Sequence, residues 1–294
     1  MNFFAKPFVK WVGGKRQLLN EIRIKYPIHF EKYCEPFVGG GAVLFDVLNK
    51  YNPKQVLIND INKELINSYE QIKRNQEEII SSFYKIKNNY LPLTLEEKKQ
   101  IYYEKRDKFN KLKTYSDKSL CLEKALLFLF LNKTSFNGLY RENKKGFFNV
   151  PFNNKESPYF FEEENIRACS KALQNVIIQT GDYSQCENFI DEQTFVYIDP
   201  PYRPLTKTSA FTSYTQNNFS DKEQIELGNF IKRISNKGAK ILISNSDSKN
   251  VDKNDNFFYE LYKDFKIQRV YASRSINSNI NKRGAISELL ISNY

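Results

Sequence analysis

Over the first seventy residues, short apolar runs alternate with stretches whose apolar positions recur three and four apart. QLLNEI reads as helix, KYCEPF as a short strand, GAVLFDVLNK as a helix after a glycine run, and QVLIND as a strand. INKELINSYEQI follows as a helix with Ile61, Leu65, Ile66 and Tyr69 on one face. Residues 71–160 break this rhythm. They are rich in Lys, Asn and Tyr, helical in period up to ALLFLFLNKT, then polar and loop-like through SFNGLYRENKKGFFNVPFNNK. No strand alternates with a helix there, which marks an insertion. From about residue 165 the alternation returns: NIRACSKAL (helix), NVIIQTGDY (strand), TFVYIDPPY (strand), DKEQIELGNFIKRISNKG (helix) and AKILISNSD (strand). FKIQRVYA and ISELLISNY close the chain as a pair of terminal strands. Nearly continuous apolar strands separated by helices predict an α/β fold, a doubly wound and mainly parallel sheet covered on both faces. Residues 1–70 and 161–294 would form that unit, and 71–160 a mostly helical insertion.

Composition narrows the class. With 294 residues and 40% hydrophobic positions, the chain has ample material for a core. No apolar run approaches the ~20 residues that span a bilayer, and MNFFAKPFVKWVGGKRQLL lacks the apolar stretch of a signal peptide. The expectation is a soluble, cytoplasmic protein with no membrane partner. Cys34, Cys121, Cys169 and Cys186 form no CxxC pair, and His29 is the sole histidine, so neither a metal site nor imidazole chemistry is expected. The net charge of +11 suggests a polyanionic partner. Its placement says more: residues 71–160 carry 18 Lys/Arg against 10 Asp/Glu.

Four stretches carry candidate chemistry. In FVYIDPPY a strand runs into Asp199 and is stopped by Pro200 and Pro201, which fix φ and remove two N–H donors. The Asp199 carboxylate, the Pro200 carbonyl and the ring of Tyr202 make an acceptor-rich pocket with one aromatic wall. An amino group held there would have both hydrogens directed at acceptors and its lone pair turned toward an electrophile, and an extruded base is the kind of ligand that fits. In YCEPFVGGGAVLFDVL, Gly39 to Gly41 separate a strand from a helix and allow close approach to the backbone. The spacing is not that of a pyrophosphate loop, and Glu35 with Phe37 suggests an organic cofactor with a cationic end. In VLINDIN, Asp60 ends the next strand, 21 residues after Gly39, where doubly wound folds place a carboxylate on a ribose diol. In QTGDYSQ, Asp182 and Tyr183 again follow a strand, offering an acceptor for an exocyclic amine and a ring.

Taken in order, EPFVGGG, Asp60 and DPPY resemble the α-group amino-methyltransferases that act on DNA, and KPFVKWVGGKRQLL matches the WxGGK element of the Dam-type, GATC-directed adenine-N6 enzymes. The likeness spans essentially the whole chain and includes LISNSD (242–247) and RSINSN (274–279). It implies a Rossmann-like methyltransferase domain using S-adenosylmethionine, without a metal, on double-stranded DNA. Carried over by position, Trp11, Lys15, Phe37, Asp60 and Asp199 belong to the cofactor site, with Asp182 and Tyr183 on its adenine and Glu35 where relatives often have Asp. SFNGLYRENKKGFFNVP (135–151) resembles the family's DNA-reading hairpin. There Arg141 would read a guanine edge, Leu139 and Pro151 would touch the other pairs, Phe136 would wedge into the stack, and Asn137 would meet the orphaned base. The expected reaction is direct methylation of adenine N6 in 5′-GATC-3′, paired with a restriction endonuclease. A solitary regulatory or repair-linked enzyme is the alternative, followed by an amino-methyltransferase for RNA or protein. The oligomeric state has no signature in the chain.

Overall fold

The β-branched and aromatic runs become strands of one sheet. The computed structural model describes residues 4–203, 219–273 and 285–294, so RSINSN (274–279) lies outside them. The strands are β1 (Lys32–Glu35), β2 (Gln55–Asp60), β3 (Val176–Thr180), β4 (Thr194–Ile198), β5 (Lys240–Ser246), β6 (Lys266–Ser273) and β7 (Ala285–Ser292). Across the sheet they run β3-β2-β1-β4-β5-β7-β6. Pairing is parallel from β3 through β5. It is antiparallel on both sides of β7, so the two terminal strands do pair with each other. The winding reverses between β1 and β4, and in such sheets the crevice outside the strand carboxyl ends at that point receives ligands.

The helices are α1 (Leu19–Arg23), α2 (Ala42–Lys50), α3 (Lys63–Arg74), α4 (Gln76–Tyr90), α5 (Leu95–Lys113), α6 (Cys121–Thr134), α7 (Glu163–Leu173), α8 (Asp221–Asn236) and α9 (Phe257–Leu261). Burial on both faces explains the continuous apolar strands. In β4, Phe195 and Tyr197 enter a core shared with α2, α3 and α7, whereas Val196 and Ile198 enter a second core with α8. Ile61 departs from the expected helical face and is 64% exposed. The reason is local: the Asn62 side chain accepts from the Glu64 and Leu65 N–H groups, so α3 starts at Lys63, after Ile61, while Leu65, Ile66 and Tyr69 turn inward as expected.

Helix α3 runs on past residue 70, so the chain enters the inserted segment without a break. There α6 packs between α3 and α5 and is apolar nearly all round, as a helix covered on several sides must be. Phe83, Tyr102, Phe109, Phe128 and Phe130 join the same core that lies under the sheet. Beyond α6, isolated antiparallel bridges Ser135↔Phe152 and Glu142↔Phe148 fold residues 135–152 into an irregular hairpin. Among the described residues, no helix is long and apolar enough to cross a membrane.

Candidate active site

Strand register brings the predicted carboxylates together. Cys34 pairs with Leu57 on β2 and with Val196 on β4. Phe37, Asp60 and Asp199 each lie three residues further on, so they stand level at one sheet edge, on either side of the end of β1. With strands about 4.8 Å apart, Asp60 and Asp199 are separated by roughly 10 Å, a span suited to a ligand lying across β1.

Asp199 follows a fully buried strand, and the two prolines stop the chain there. Its Oδ1 lies 2.7 Å from Nζ of Lys15, which is itself 4% exposed. The same ammonium donates to the Gly13 carbonyl at 2.7 Å and lies 4.9 Å from the centre of the Tyr202 ring. Burial pushes the Asp199 carboxyl up to about 6, with Lys15 pulling the other way. Tyr202 donates its hydroxyl to Glu288 Oε2 at 2.6 Å, and that oxygen is 3.9 Å from Lys15 Nζ. Pro201 is exposed while Pro200 is buried, and the Pro201 carbonyl accepts from Gln224 on α8. The expectation grouped Lys15 with Asp199, and the structure pairs the two directly. Glu288 was missed, although a lone carboxylate in the apolar strand ISELLIS was a signal for it.

The glycine turn takes a left-handed backbone. Gly39 and Gly41 have φ of +48° and +72°, where side chains are disfavoured. The Gly39 N–H donates to Asp60 Oδ2 at 3.0 Å, and the Tyr69 hydroxyl donates to the Gly39 carbonyl. Burial raises the Asp60 carboxyl, against N–H groups of Asn62, Gly39 and Ile61. Glu35 is buried deeper, and its carboxyl is pushed well above the usual range by that burial, while the Tyr33 hydroxyl at 2.8 Å opposes the rise. Trp11 packs against the turn, since a Cβ on Gly39 would come 2.8 Å from its ring. Phe37 and Tyr183 have ring centres 5.3 Å apart, and Phe219 meets Phe37 edge-on at 6.1 Å. Asp182 is exposed and caps the short turn after β3 through the Ser184 N–H.

The hairpin is tied to this site through the N-terminal segment. Buried Asn132 accepts from the Lys10 N–H at 2.9 Å and donates to the carbonyls of Lys10 and Gly138 at 2.8 and 3.0 Å. Trp11 stacks on Tyr140, with ring centres 5.8 Å apart and planes at 25°. Neither Asn132 nor Tyr140 was anticipated, because nothing in their local pattern marks the contact. At the base of the hairpin Phe136 is 51% exposed, and Asn137 takes a φ of 55°. The Phe136 N–H donates to the Pro151 carbonyl, which brings the two ends of the motif together. Arg141 is braced from the side by Asn149, with Nε on its side-chain oxygen at 2.8 Å and Nη2 on its carbonyl. Leu139 is half-buried against the core.

A doubly wound sheet with strand-end carboxylates around a glycine turn, and an acceptor pocket beside it, defines a Rossmann-like group-transfer enzyme. The family of D12 class N6 adenine-specific DNA methyltransferases matches residues 11–276, and this chain belongs to that family. It is 46% identical to the type II methyltransferase M.MjaIII of Methanocaldococcus jannaschii, with 99% of each chain covered. It is 36% identical to the DNA adenine methylase of Haemophilus influenzae, covering 97% of this chain and 92% of that one. The corresponding enzyme of Escherichia coli K12 is 34% identical, with 97% and 94% covered. The chain is thus an adenine-specific DNA methyltransferase, and membership of the family implies S-adenosylmethionine as methyl donor.

Proposed function

We infer that the protein methylates N6 of an adenine turned out of duplex DNA, within 5′-GATC-3′, and that it protects DNA against a companion restriction endonuclease. The observation that carries this reading is the strand end at Asp199. The Asp199 carboxylate stands level with Asp60 across the end of β1, and Lys15 Nζ, 2.7 Å from Asp199 Oδ1, lies 4.9 Å from the centre of the Tyr202 ring. An amine on the Asp199 carboxylate and the Pro200 carbonyl directs both hydrogens into the protein, so its lone pair leaves conjugation with the base. Tyr202 covers the face of that base. Catalysis then rests on positioning and on oriented acceptors that stabilise positive charge growing on nitrogen.

When bound, S-adenosylmethionine would supply an electrophilic methyl group on a positively charged sulfur, toward which the lone pair of the amine held at Asp199 would point. Trp11, Phe37 and Tyr183 provide apolar surface for this donor, and Gly39 and Gly41 let it approach the backbone. Asp60 takes the ribose hydroxyls, Asp182 the adenine amine, and Glu35 faces the charged tail. Residues 1–70 and 161–294 act as the catalytic domain and 71–160 as the target-recognition domain. In that domain Phe136 enters the stack, Asn137 meets the orphaned base, Arg141 reads guanine, and Leu139 and Pro151 make apolar contacts. The exposed Phe136 and the braced Arg141 support these roles. The type II methyltransferases among the relatives favour the restriction setting. The DNA adenine methylases favour the second reading, a solitary enzyme. Either way the site of action would be cytoplasmic.

DNA from a host expressing the protein decides the target. It should resist a nuclease blocked by GATC adenine methylation and be cut by one that requires it. Complete cutting by the first nuclease would remove the GATC assignment.

A further inference from the structure

Lys15 occupies the acceptor that the incoming amine needs. Its ammonium caps Asp199 Oδ1 at 2.7 Å and is anchored to the Gly13 carbonyl at the same distance. Among the described residues Asp199 Oδ2 has no hydrogen-bond partner, yet a carboxylate already paired with a cation has little charge left to offer. The ammonium would also repel the positive charge growing on N6. It cannot simply be abandoned, because a buried cation stripped of its partner is costly. Among the described residues, the other carboxylate paired with Lys15 is Glu288, whose Oε2 is 3.9 Å from Nζ.

We propose that Glu288 is a positioning residue that receives the Lys15 ammonium when the target amine enters, freeing the charge of Asp199 for N6. The proposal rests on the reading of Asp199 as the amine acceptor. No bond or proton changes hands. Nζ keeps Gly13 and closes a gap of about 1 Å to an ordinary charge-assisted hydrogen bond. Register makes the arrangement stable: Glu288 pairs with Ser246 on β5 and Val270 on β6, held from both sides. The oxygen nearest Lys15 already accepts from Tyr202, so the lysine would arrive beside the ring that covers the base.

The test compares Glu288→Gln with Glu288→Asp in single-turnover methylation of a GATC duplex at saturating S-adenosylmethionine. Gln keeps the length and the acceptor for Tyr202 but loses the charge; Asp keeps the charge and loses the reach. Glu288→Gln should slow methyl transfer about tenfold or more, the size of coupling expected between contacting groups, and Glu288→Asp should remain faster than Glu288→Gln. Melting temperature and cofactor-free duplex affinity should stay near wild type for both. If Glu288→Gln equals or exceeds Glu288→Asp, the residue serves only to hold Tyr202 and the proposal is overturned. Wild-type protein that fails to methylate the duplex would instead defeat the functional reading beneath it.

Discussion

At the scale of single residues, the chemistry turns on one carboxylate in two competing surroundings. Burial raises Asp199 to about 6, and the lysine beside it limits the rise. The acceptor is charged only above that value. The single-turnover rate should therefore climb as pH rises through about 6 and level off above it, which a pH series of rapid-quench measurements would check. For stability the sign is reversed. A carboxyl whose folded value exceeds its ordinary 3.8 favours the fold when protonated, so its contribution is lost as pH rises between 3.8 and about 6. Asp199→Asn should lower the rate by about 100-fold or more on the plateau above about pH 6, as loss of a preorganised charge stabiliser does, with a smaller deficit at lower pH where the wild-type carboxyl is itself protonated. Near-normal turnover in that variant would end the assignment. The identity of this residue was legible in the chain, since two prolines after an apolar run leave few alternatives. Its partner was not: Lys15 in WVGGK gave no sign of which carboxylate it would meet.

At the scale of elements, the glycine turn and the hairpin are each held by one contact that a substitution can break. Gly41 has a φ of +72°, and a Cβ there would lie 2.5 Å from the Tyr69 hydroxyl. Gly41→Ala should cost at least about 1–2 kcal/mol from the left-handed backbone alone, seen as a drop in melting temperature. Adding Tyr69→Phe removes the clashing oxygen, so the double variant should recover part of that loss rather than lose more. Asn132 makes three hydrogen bonds across the join between the WVGGK segment and the hairpin. Asn132→Ala leaves buried backbone groups unpaired at about 1–3 kcal/mol each. Cognate duplex affinity should fall more than S-adenosylmethionine affinity, a difference that fluorescence anisotropy and calorimetry can separate. The elements themselves were legible from period and from punctuation by Gly and Pro. The start of α3 was misjudged by two residues, because Ile61 was read as part of the apolar face and the cap at Asn62 was not recognised.

At the scale of the whole molecule, an α/β sheet and an inserted set of helices share one continuous core, and most of the excess positive charge falls in the insertion. Duplex affinity should weaken steeply between 50 and 200 mM salt, by about a thousandfold if roughly six phosphates are contacted; a flat response would place the recognition elsewhere. The chain by itself determined the order of helices and strands, the parallel sheet, the glycine turn and the carboxylates at the strand ends. Each of these follows from spacing among near neighbours, where burial and backbone geometry act on a few residues at a time. Only the tertiary structure decided that Asp60 and Asp199 stand level, that β7 slips between β5 and β6 and brings Glu288 to Lys15, and that Asn132 ties the hairpin to the segment before the glycine turn. Those pairings depend on strand register and on the packing of distant side chains, which no local period encodes.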